Sequence, residues 1–240
     1  TADKAVRQAL AQSIDRGTIA TAMTQGLLPD PGTSVSAATP QACDDSAAAE
    51  AIPPYDPQAA AALLDEAGWV PGDDGIRERD GQRLTLGAAY NTAWPGAAAA
   101  VELVADAWKQ IGVEAEITPL AQPDYIQKIQ QTGDFDVIAV QQFSNPFPST
   151  LIGMLAGPPP PDGMNAAHFD NPAYKEAVEA ARVATEGSGC DLWTEASTAL
   201  FENVDMIPIA QWPTNWVLNG AEMDALGGRP IATSIRVLAG

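Results

Sequence analysis

The sequence predicts an α/β fold in which a mixed, mostly parallel sheet is flanked by helices. Strand-like segments alternate with helical patterns of about 10 to 15 residues, which is typical of parallel sheets with both faces covered. The chain has 240 residues, 46% of them hydrophobic, so it can bury the core of one large or two small domains. No apolar run reaches the roughly 18 residues that a membrane-spanning helix needs.

The first two predicted elements are short amphipathic helices. Val6, Leu10 and Ile14 recur every four residues and form one apolar stripe. Asp15 is typical of a helix N-cap, and Gly26 of a helix stop, so a second helix is expected between them. Residues 27–54 then show no periodic pattern and are predicted to form a long loop.

The next predicted elements are a helix and a hairpin. Asp56 and Pro57 are a strong helix start, and Gly68 ends that helix. Asp80-Gly81 favours the tight turn of a hairpin over residues 75–84, because its backbone twist matches that of paired strands.

A βαβ pattern occupies the middle of the chain. The apolar spacing predicts a strand to Tyr90, a helix over residues 97–111 and a strand over 113–118. A further helix is expected over 124–131 and a third strand over 135–140. After a proline run, two helices are expected over 171–184 and 191–203, followed by a strand over 206–210.

The net charge of −19 restricts the partners. It arises from 31 acidic and 12 basic residues, and the basic residues form no cluster. Because phosphate binding needs several Lys or Arg side chains on one face, nucleic acid is not expected as a partner. The same charge would repel anionic lipid.

Cysteine usage leaves two alternatives open. Cys43 and Cys190 are the two cysteines of the chain, and both fall in predicted loops. A disulfide between them would indicate an oxidising compartment. The alternative is two unrelated free thiols.

The chain contains no recognisable catalytic motif. It has one histidine, His168, and no G-x-S-x-G elbow. One histidine and two distant cysteines cannot form a zinc cluster with ordinary ligand spacing. Neither phosphate-binding glycine motif occurs, so no cofactor is expected. Elimination therefore favours a binding protein over an enzyme, although paired carboxylates always leave a hydrolase of unrecognised type as an alternative.

Two loops are expected to carry the binding site. In parallel sheets ligands meet the loops beyond the carboxyl ends of the strands. Here these loops are residues 91–96 and 141–148, and both are rich in amides and aromatic rings rather than charges.

Several segments, taken in order, resemble the extracellular solute-binding proteins of family 5, the oligopeptide and dipeptide receptors of ABC importers. They cover nearly the whole chain, and each alone is weak. The segments are Val6-Arg7-Gln8-Ala9-Leu10, Ile14-Asp15-Arg16, Tyr55-Asp56-Pro57, Ala62-Leu63-Leu64-Asp65-Glu66-Ala67-Gly68-Trp69, Gly75-Ile76-Arg77, Asp80-Gly81, Ile111-Gly112-Val113, Phe135-Asp136-Val137, Phe169-Asp170-Asn171-Pro172 and Ile207-Pro208-Ile209.

The resemblance implies one lobe of a periplasmic-binding-protein-like receptor of type II, the Venus-flytrap kind, which closes two lobes around a ligand. Residues 1–240 would form a single ligand-binding lobe, the C-terminal one, with its partner lobe outside this chain. It also implies an extracytoplasmic protein, lipid-anchored through a segment outside this chain, whose partners are a peptide or small-molecule ligand and the permease subunits of an ABC transporter.

The resemblance also points to a departure in the binding cleft. Family members have an acid there that pairs with a peptide ammonium, whereas this sequence has Ser144 or Asn145. A hydrogen bond to a charged group contributes about 1.5 to 3 kcal/mol, so a free amino terminus should bind about tenfold more weakly or worse. Sugars, glycolipid head groups and blocked peptides are therefore alternative ligands.

The predicted ligand-binding residues combine ring faces with uncharged hydrogen-bonding groups, as most small-molecule pockets do. They are Trp94, Gln142, Phe143, Ser144, Asn145 and Trp212. The alternative for the two indoles is that they are core residues covering the sheet edge.

The main functional hypothesis is thus ligand capture for an ABC importer, without catalysis. The alternative is a receptor-like lipoprotein with a scaffold or regulatory role in cell-envelope glycolipid biosynthesis.

Overall fold

A computed structural model describes residues 3–28, 30–35, 43–44, 46–140, 148–184, 189–210, 217–226 and 229–238. Its α-helices are α1 (Lys4–Gln12), α2 (Arg16–Thr24), α3 (Pro57–Glu66), α4 (Ala97–Gln110), α5 (Gln122–Gln127), α6 (Ile152–Leu155), α7 (Pro172–Val183) and α8 (Gly189–Glu202). Its strands are β1 (Val70–Pro71), β2 (Arg77–Arg79), β3 (Gln82–Arg83), β4 (Thr85–Asn91), β5 (Glu114–Leu120), β6 (Val137–Ile138), β7 (Ala221–Glu222), β8 (Ala225–Leu226), β9 (Arg229–Pro230) and β10 (Arg236–Val237).

The central sheet is parallel and has the strand order β5-β4-β6. Strand β4 pairs with β5 along its whole length, from Thr85 opposite Glu114 to Asn91 opposite Leu120. On its other side it pairs with β6, with Ala88 opposite Val137. The predicted α/β fold with a parallel sheet and flanking helices is confirmed.

The predicted helix starts depend on aspartate caps. The carboxylate of Asp15 accepts hydrogen bonds from the backbone amides of Gly17 and Thr18, at 3.0 and 3.2 Å. Asp56 accepts from the amide of Ala59 at 2.9 Å, with Pro57 as the first helical residue. These caps satisfy amides that have no partner inside the helix, so the local sequence defines both boundaries.

The predicted hairpin is formed by β2 and β3. Its turn residues Asp80 and Gly81 have φ angles of 53° and 76°, which is the conformation that twisted two-residue turns require. The structure adds β1, which pairs antiparallel with β2 and which the sequence analysis did not predict.

Two hydrophobic cores lie in the described part of the chain. The first joins α1, α3 and α4 to the central sheet, around the buried side chains of Leu10, Leu64 and Trp108. The second packs α7 and α8 together, around Val178, Leu200 and Phe201. Burying apolar surface in this way is the main force that holds the elements together.

The predicted loop over residues 27–54 contains structure that the sequence did not indicate. A 3₁₀ helix, Ser46–Ala51, packs against α8 and buries Ala48 and Ile52 in the second core. The amide of Ser46 donates to the carboxylate of Asp44 at 3.0 Å, but the small residues that follow show no apolar periodicity, so no helix is predicted from them.

The predicted strand over residues 206–210 is wrong, because this segment belongs to none of the sheets. Its carbonyls bond to other partners: that of Ile209 accepts from the amide of Gly32 at 3.1 Å, and that of Pro208 accepts from Arg16 at 3.0 Å. Pro208 has no amide hydrogen to donate to a strand ladder.

Cys43 and Cys190 form a disulfide, with a Cα–Cα distance of 5.1 Å and a sequence separation of 147. The sequence left open a disulfide or two free thiols, and the structure contains the disulfide. The bridge connects the chain just before the 3₁₀ helix Ser46–Ala51 to the first turn of α8.

The C-terminal part of the chain forms two small antiparallel ribbons, β7 with β10 and β8 with β9. Large apolar side chains are exposed here, among them Val217 at 95% and Val237 at 84%. In the described ranges, no helix combines the length and the apolar character required to cross a bilayer.

Candidate functional site

The strand order creates a crevice at one edge of the central sheet. The chain passes from β4 to β5 on one side and then to β6 on the other side of β4. The strand order therefore reverses beside β4, where the carboxyl ends of β4 and β6 are neighbours, and such a topological switch point is where open α/β sheets bind ligands. We call this place the switch-point crevice: it lies between residues 92–96 and residues 139–140.

The loop after β4 is fixed by the side chain of Asn91. This residue is fully buried, its Oδ1 accepts from the amide of Ala93 at 2.9 Å, and its Nδ2 donates to Gln122 Oε1. The amide of Thr92 donates to the carbonyl of Leu120 at 2.9 Å, at the end of β5. The loop is thus bonded to both neighbouring segments, and Trp94 projects from a rigid base.

Gly96 sets the distance between this loop and α2. Its φ is +76°, and an added Cβ would lie 2.6 Å from the carbonyl oxygen of Met23. Only glycine combines this backbone conformation with so close an approach.

Trp94 packs edge-on against Tyr125, with ring centroids 4.9 Å apart and an angle of 72° between the ring planes. Tyr125 is 4% exposed, and its hydroxyl donates to the carbonyl of Ala139 at 2.7 Å. A tyrosine hydroxyl is protonated at neutral pH, and burial raises the pKa of Tyr125 further, so the hydroxyl remains a donor into the alkaline range.

A cavity of about 1100 Å³ lies between the two cores and reaches the crevice. Its walls are mostly apolar and include Leu10 from α1, Ile14 just after α1, and Val101 from α4. Trp94 and Val140 line it on the side of the crevice. A volume of this size is in the range of small-molecule sites.

The carboxylates in the cavity wall are already engaged. Asp136 accepts from the amide of Gly87 at 2.9 Å. Asp205 accepts from Asn171 and Asn203, both at 2.8 Å. Asp170 also lines the cavity, and its carboxylate accepts from the ammonium of Lys175 at 2.8 Å. All three acids of the described wall are thus bonded within the protein, and the rest of that wall is mainly apolar.

Of the predicted ligand-binding residues, Trp94 lies where a ligand could reach it, in the cavity wall. Gln142, Phe143, Ser144, Asn145 and Trp212 lie outside the described residues, and their role stays a prediction. The described residues that precede these two segments, Val140 and Ala210, both line the cavity.

Two residues of the site were missed by the sequence analysis. Tyr125 is an aromatic residue at the start of a predicted helix, where core packing is the usual role. Asn91 was predicted only as part of a loop, although a polar residue at the end of an apolar strand is a signal of a buried hydrogen-bonding role.

The described residues contain no group of three or more His, Cys, Asp or Glu side chains that could hold a metal ion. His168 also lies in the cavity wall, is exposed, and has a φ of 54°. Its amide donates to the carbonyl of Asn165 at 3.1 Å, so its backbone is part of a turn.

A parallel sheet with helices on its faces, and a crevice with an aromatic wall at the switch point, fit the periplasmic-binding-protein-like fold. A family model described as "Bacterial extracellular solute-binding proteins, family 5 Middle" matches residues 1–161. The chain belongs to this family, whose members lie outside the cytoplasm. The predicted family relationship is confirmed.

Curated relatives resemble the chain over most of its length. The chain is 34% identical over 193 residues to Protein XP55 of Streptomyces lividans, an alignment that covers 76% of this chain and 32% of the relative. It is 29% identical over 214 residues to Di/tripeptide-binding protein 1 of Pseudomonas aeruginosa, covering 85% of this chain and 36% of the relative. The chain thus spans about a third of the length of these relatives.

A solved structure supports the same fold. The periplasmic oligopeptide-binding protein of an ABC transporter from Thermotoga maritima, crystallised with mannohexaose, superposes with a TM-score of 0.73 at 18% identity. The match covers 86% of this chain and 40% of that protein.

Proposed function

We propose that residues 1–240 form the C-terminal ligand-binding lobe of a two-lobed receptor that captures a solute outside the cytoplasm for an ABC importer. The observation that carries this proposal is the switch-point crevice, where Trp94, after β4, and Val140, after β6, line an apolar cavity. Family membership supports the transport role. Capture in this mechanism is binding without chemical change: the second lobe closes over the ligand, and a permease receives it.

The ligand we propose is a peptide or another solute that does not need a carboxylate partner for an ammonium group. The three acids of the described cavity wall, Asp136, Asp170 and Asp205, are all bonded to protein donors. The predicted Ser144 and Asn145 would add uncharged groups. The Thermotoga maritima relative, crystallised with mannohexaose, supports the inclusion of uncharged ligands in this proposal.

The proposed location is extracytoplasmic, with attachment through a lipid anchor outside this chain. A disulfide such as Cys43–Cys190 persists in oxidising compartments, which supports this location. The apolar side chains exposed near the C-terminal ribbons are compatible with both roles. Either another part of a longer polypeptide or a separate partner protein would cover them, so they do not favour a scaffold role over ligand capture.

The experiment is native mass spectrometry of the complete natural protein, purified without added solute. The expected result is a bound small molecule, whose removal by partial unfolding and dialysis increases the radius of gyration in X-ray scattering. Trp94→Ala should weaken rebinding of the released molecule by about tenfold or more, because an aromatic wall of the site is lost. Tyr55→Ala is the control, since Tyr55 is 57% exposed and does not line the cavity.

The proposal fails if the complete protein carries no small molecule and its radius of gyration is unchanged by peptide and oligosaccharide pools. It also fails if Trp94→Ala and Tyr55→Ala rebind the released molecule equally well.

A further inference from the structure

Tyr125 contacts both sides of the switch-point crevice. Its ring packs against Trp94 on the β4 side, and its hydroxyl donates to the carbonyl of Ala139 on the β6 side. We propose that Tyr125 is a positioning residue that fixes the two sides of the crevice relative to each other. This assignment rests on the proposed function for the role of the crevice, but the contacts themselves can be tested without a ligand.

The hydrogen bond from the Tyr125 hydroxyl holds the backbone of Ala139, the residue that follows β6. Strand β6 contains only Val137 and Ile138. The amide of Ala139 still donates to Ala89 at 3.0 Å, whereas its carbonyl is bonded to Tyr125 at 2.7 Å. The Tyr125 hydroxyl thus supplies the donor that a neighbouring strand would supply to this carbonyl. It holds the backbone of Ala139, which lines the cavity.

The ring contact supports the aromatic wall from behind. Trp94 lines the cavity, whereas Tyr125 is buried and does not line it. The edge-on geometry at 4.9 Å is the favoured arrangement of two aromatic rings, and it restricts the rotation of the indole. A ligand would therefore meet an indole whose orientation is set by Tyr125.

Tyrosine provides both the ring that contacts Trp94 and the hydroxyl that donates to Ala139. Phenylalanine would keep the ring contact and lose the hydrogen bond, and leucine would lose both. Burial raises the pKa of the Tyr125 hydroxyl further above neutral, so the bond to Ala139 persists into the alkaline range.

The test uses the complete natural protein labelled with 5-fluorotryptophan, and the ¹⁹F resonance of Trp94 is assigned from its loss in Trp94→Phe. Tyr125→Leu should shift this resonance, because the ring current of the neighbour is removed. Tyr125→Phe should leave it near its original position. Both variants lose the hydroxyl bond that holds the Ala139 carbonyl, so the bond from the Ala139 amide to Ala89 should open more often. Hydrogen exchange at the Ala139 amide should therefore be about tenfold faster in both variants.

The control is Tyr174→Phe, which changes a tyrosine that is equally buried, at 3% exposure, but lies in the second core. It should leave both the Trp94 resonance and the Ala139 exchange unchanged. General destabilisation would alter all three variants alike, and this would overturn the proposal. An unchanged Trp94 resonance in Tyr125→Leu, or unchanged Ala139 exchange in Tyr125→Phe, would also overturn it.

Binding of trialanine and N-acetyl-trialanine, measured by calorimetry on the same variants, connects the positioning role to capture. If the wild-type protein binds either probe, Tyr125→Leu should weaken it more than Tyr125→Phe, and equal affinities in both variants would overturn the link to the ligand. If the wild-type protein binds neither probe, the failure concerns the proposed ligand class, while the fluorine and exchange measurements still decide the role of Tyr125.

Discussion

Arg77 joins segments that are far apart in the sequence. It is 5% exposed, and its guanidinium donates to the carbonyls of Ile111 at 2.7 Å, Trp69 at 2.6 Å and Ala61 at 3.2 Å. It also pairs with the carboxylate of Asp65 at 2.5 Å. The planar fork of arginine can serve several acceptors at once, so one side chain ties the hairpin to α3 and to the end of α4.

Arg77→Met should therefore lower the free energy of unfolding by about 3 to 5 kcal/mol, because buried carbonyls lose their donor. Urea unfolding followed by circular dichroism measures this loss. Arg83→Met is the matched control in the same hairpin, since Arg83 is 40% exposed and its ion pairs are on the surface. Losses of equal size in the two variants would contradict the role assigned to Arg77.

Asp15 gives a pH-dependent contribution at the start of α2. The hydroxyl and the backbone amide of Thr18 donate to its carboxylate and lower the pKa of Asp15, with a further contribution from the amide of Gly17. Because the pKa is lower in the folded state, the stabilisation is complete above the unfolded pKa of about 4 and is lost as the pH falls through the folded pKa.

Asp15→Ala should lower the free energy of unfolding by about 1 kcal/mol at pH 7. The difference from the wild-type protein should shrink as the pH falls below about 4, where the carboxylate is neutralised. Urea unfolding at pH 7 and pH 3 measures both values. A difference that is the same at both pH values would show that the cap does not depend on the charge.

At the scale of elements, Gly96 controls how closely α4 approaches α2. Gly96→Ala would place a methyl group 2.6 Å from the backbone oxygen of Met23 at a φ of +76°. We expect a loss of about 3 to 5 kcal/mol in unfolding free energy, the sum of backbone strain and overpacking. A shift of the Trp94 fluorine resonance should accompany it, because Trp94 lies two residues away.

The control is Gly26→Ala, where φ is +78° but nothing lies within 4 Å of the added Cβ. It should cost only the backbone term of about 1 to 2 kcal/mol and leave the Trp94 resonance in place. Equal losses at Gly26 and Gly96 would mean that the contact with Met23 does not limit the packing of the two helices.

Elements with local signals could be predicted, whereas elements that depend on distant partners could not. The helices after Asp15 and Asp56 and the turn at Asp80 have their causes within a few residues. Residues 206–210 have the composition of a buried strand, but their backbone bonds to Gly32 and Arg16, which no local pattern encodes.

The candidate site likewise contains one feature with a local sequence signal and others that depend on distant contacts. The position of Trp94 after the carboxyl end of a parallel strand, a general location for ligands, could be predicted, whereas its contact with a ligand stays a prediction. Tyr125 could not, since its contacts with Trp94 and Ala139 depend on the packing of α5 against the sheet. The size of the cavity also depends on how the two cores meet.

At the scale of the whole molecule, the Cys43–Cys190 disulfide closes a long loop of the chain. Replacing both cysteines by serine should lower the free energy of unfolding by about 2 to 5 kcal/mol, because the unfolded chain gains freedom. Urea unfolding measures the change. Dithiothreitol should destabilise the wild-type protein by a similar amount and leave the double variant unaffected.

A response of the double variant to dithiothreitol would contradict this interpretation, since the variant contains no disulfide to reduce. An unchanged stability of the double variant would show that other contacts already hold the 3₁₀ helix Ser46–Ala51 against α8.

The exposed apolar side chains of the C-terminal ribbons also affect the behaviour of the chain in solution. Val217, Ile235 and Val237 offer contact surface for self-association, while a net charge of −19 keeps copies apart. Added salt screens this repulsion, since the Debye length falls to about 3 Å at 1 M. The 240-residue polypeptide should therefore remain dispersed in dilute buffer and form oligomers in concentrated salt, an unusual pattern of colloidal stability that light scattering would detect.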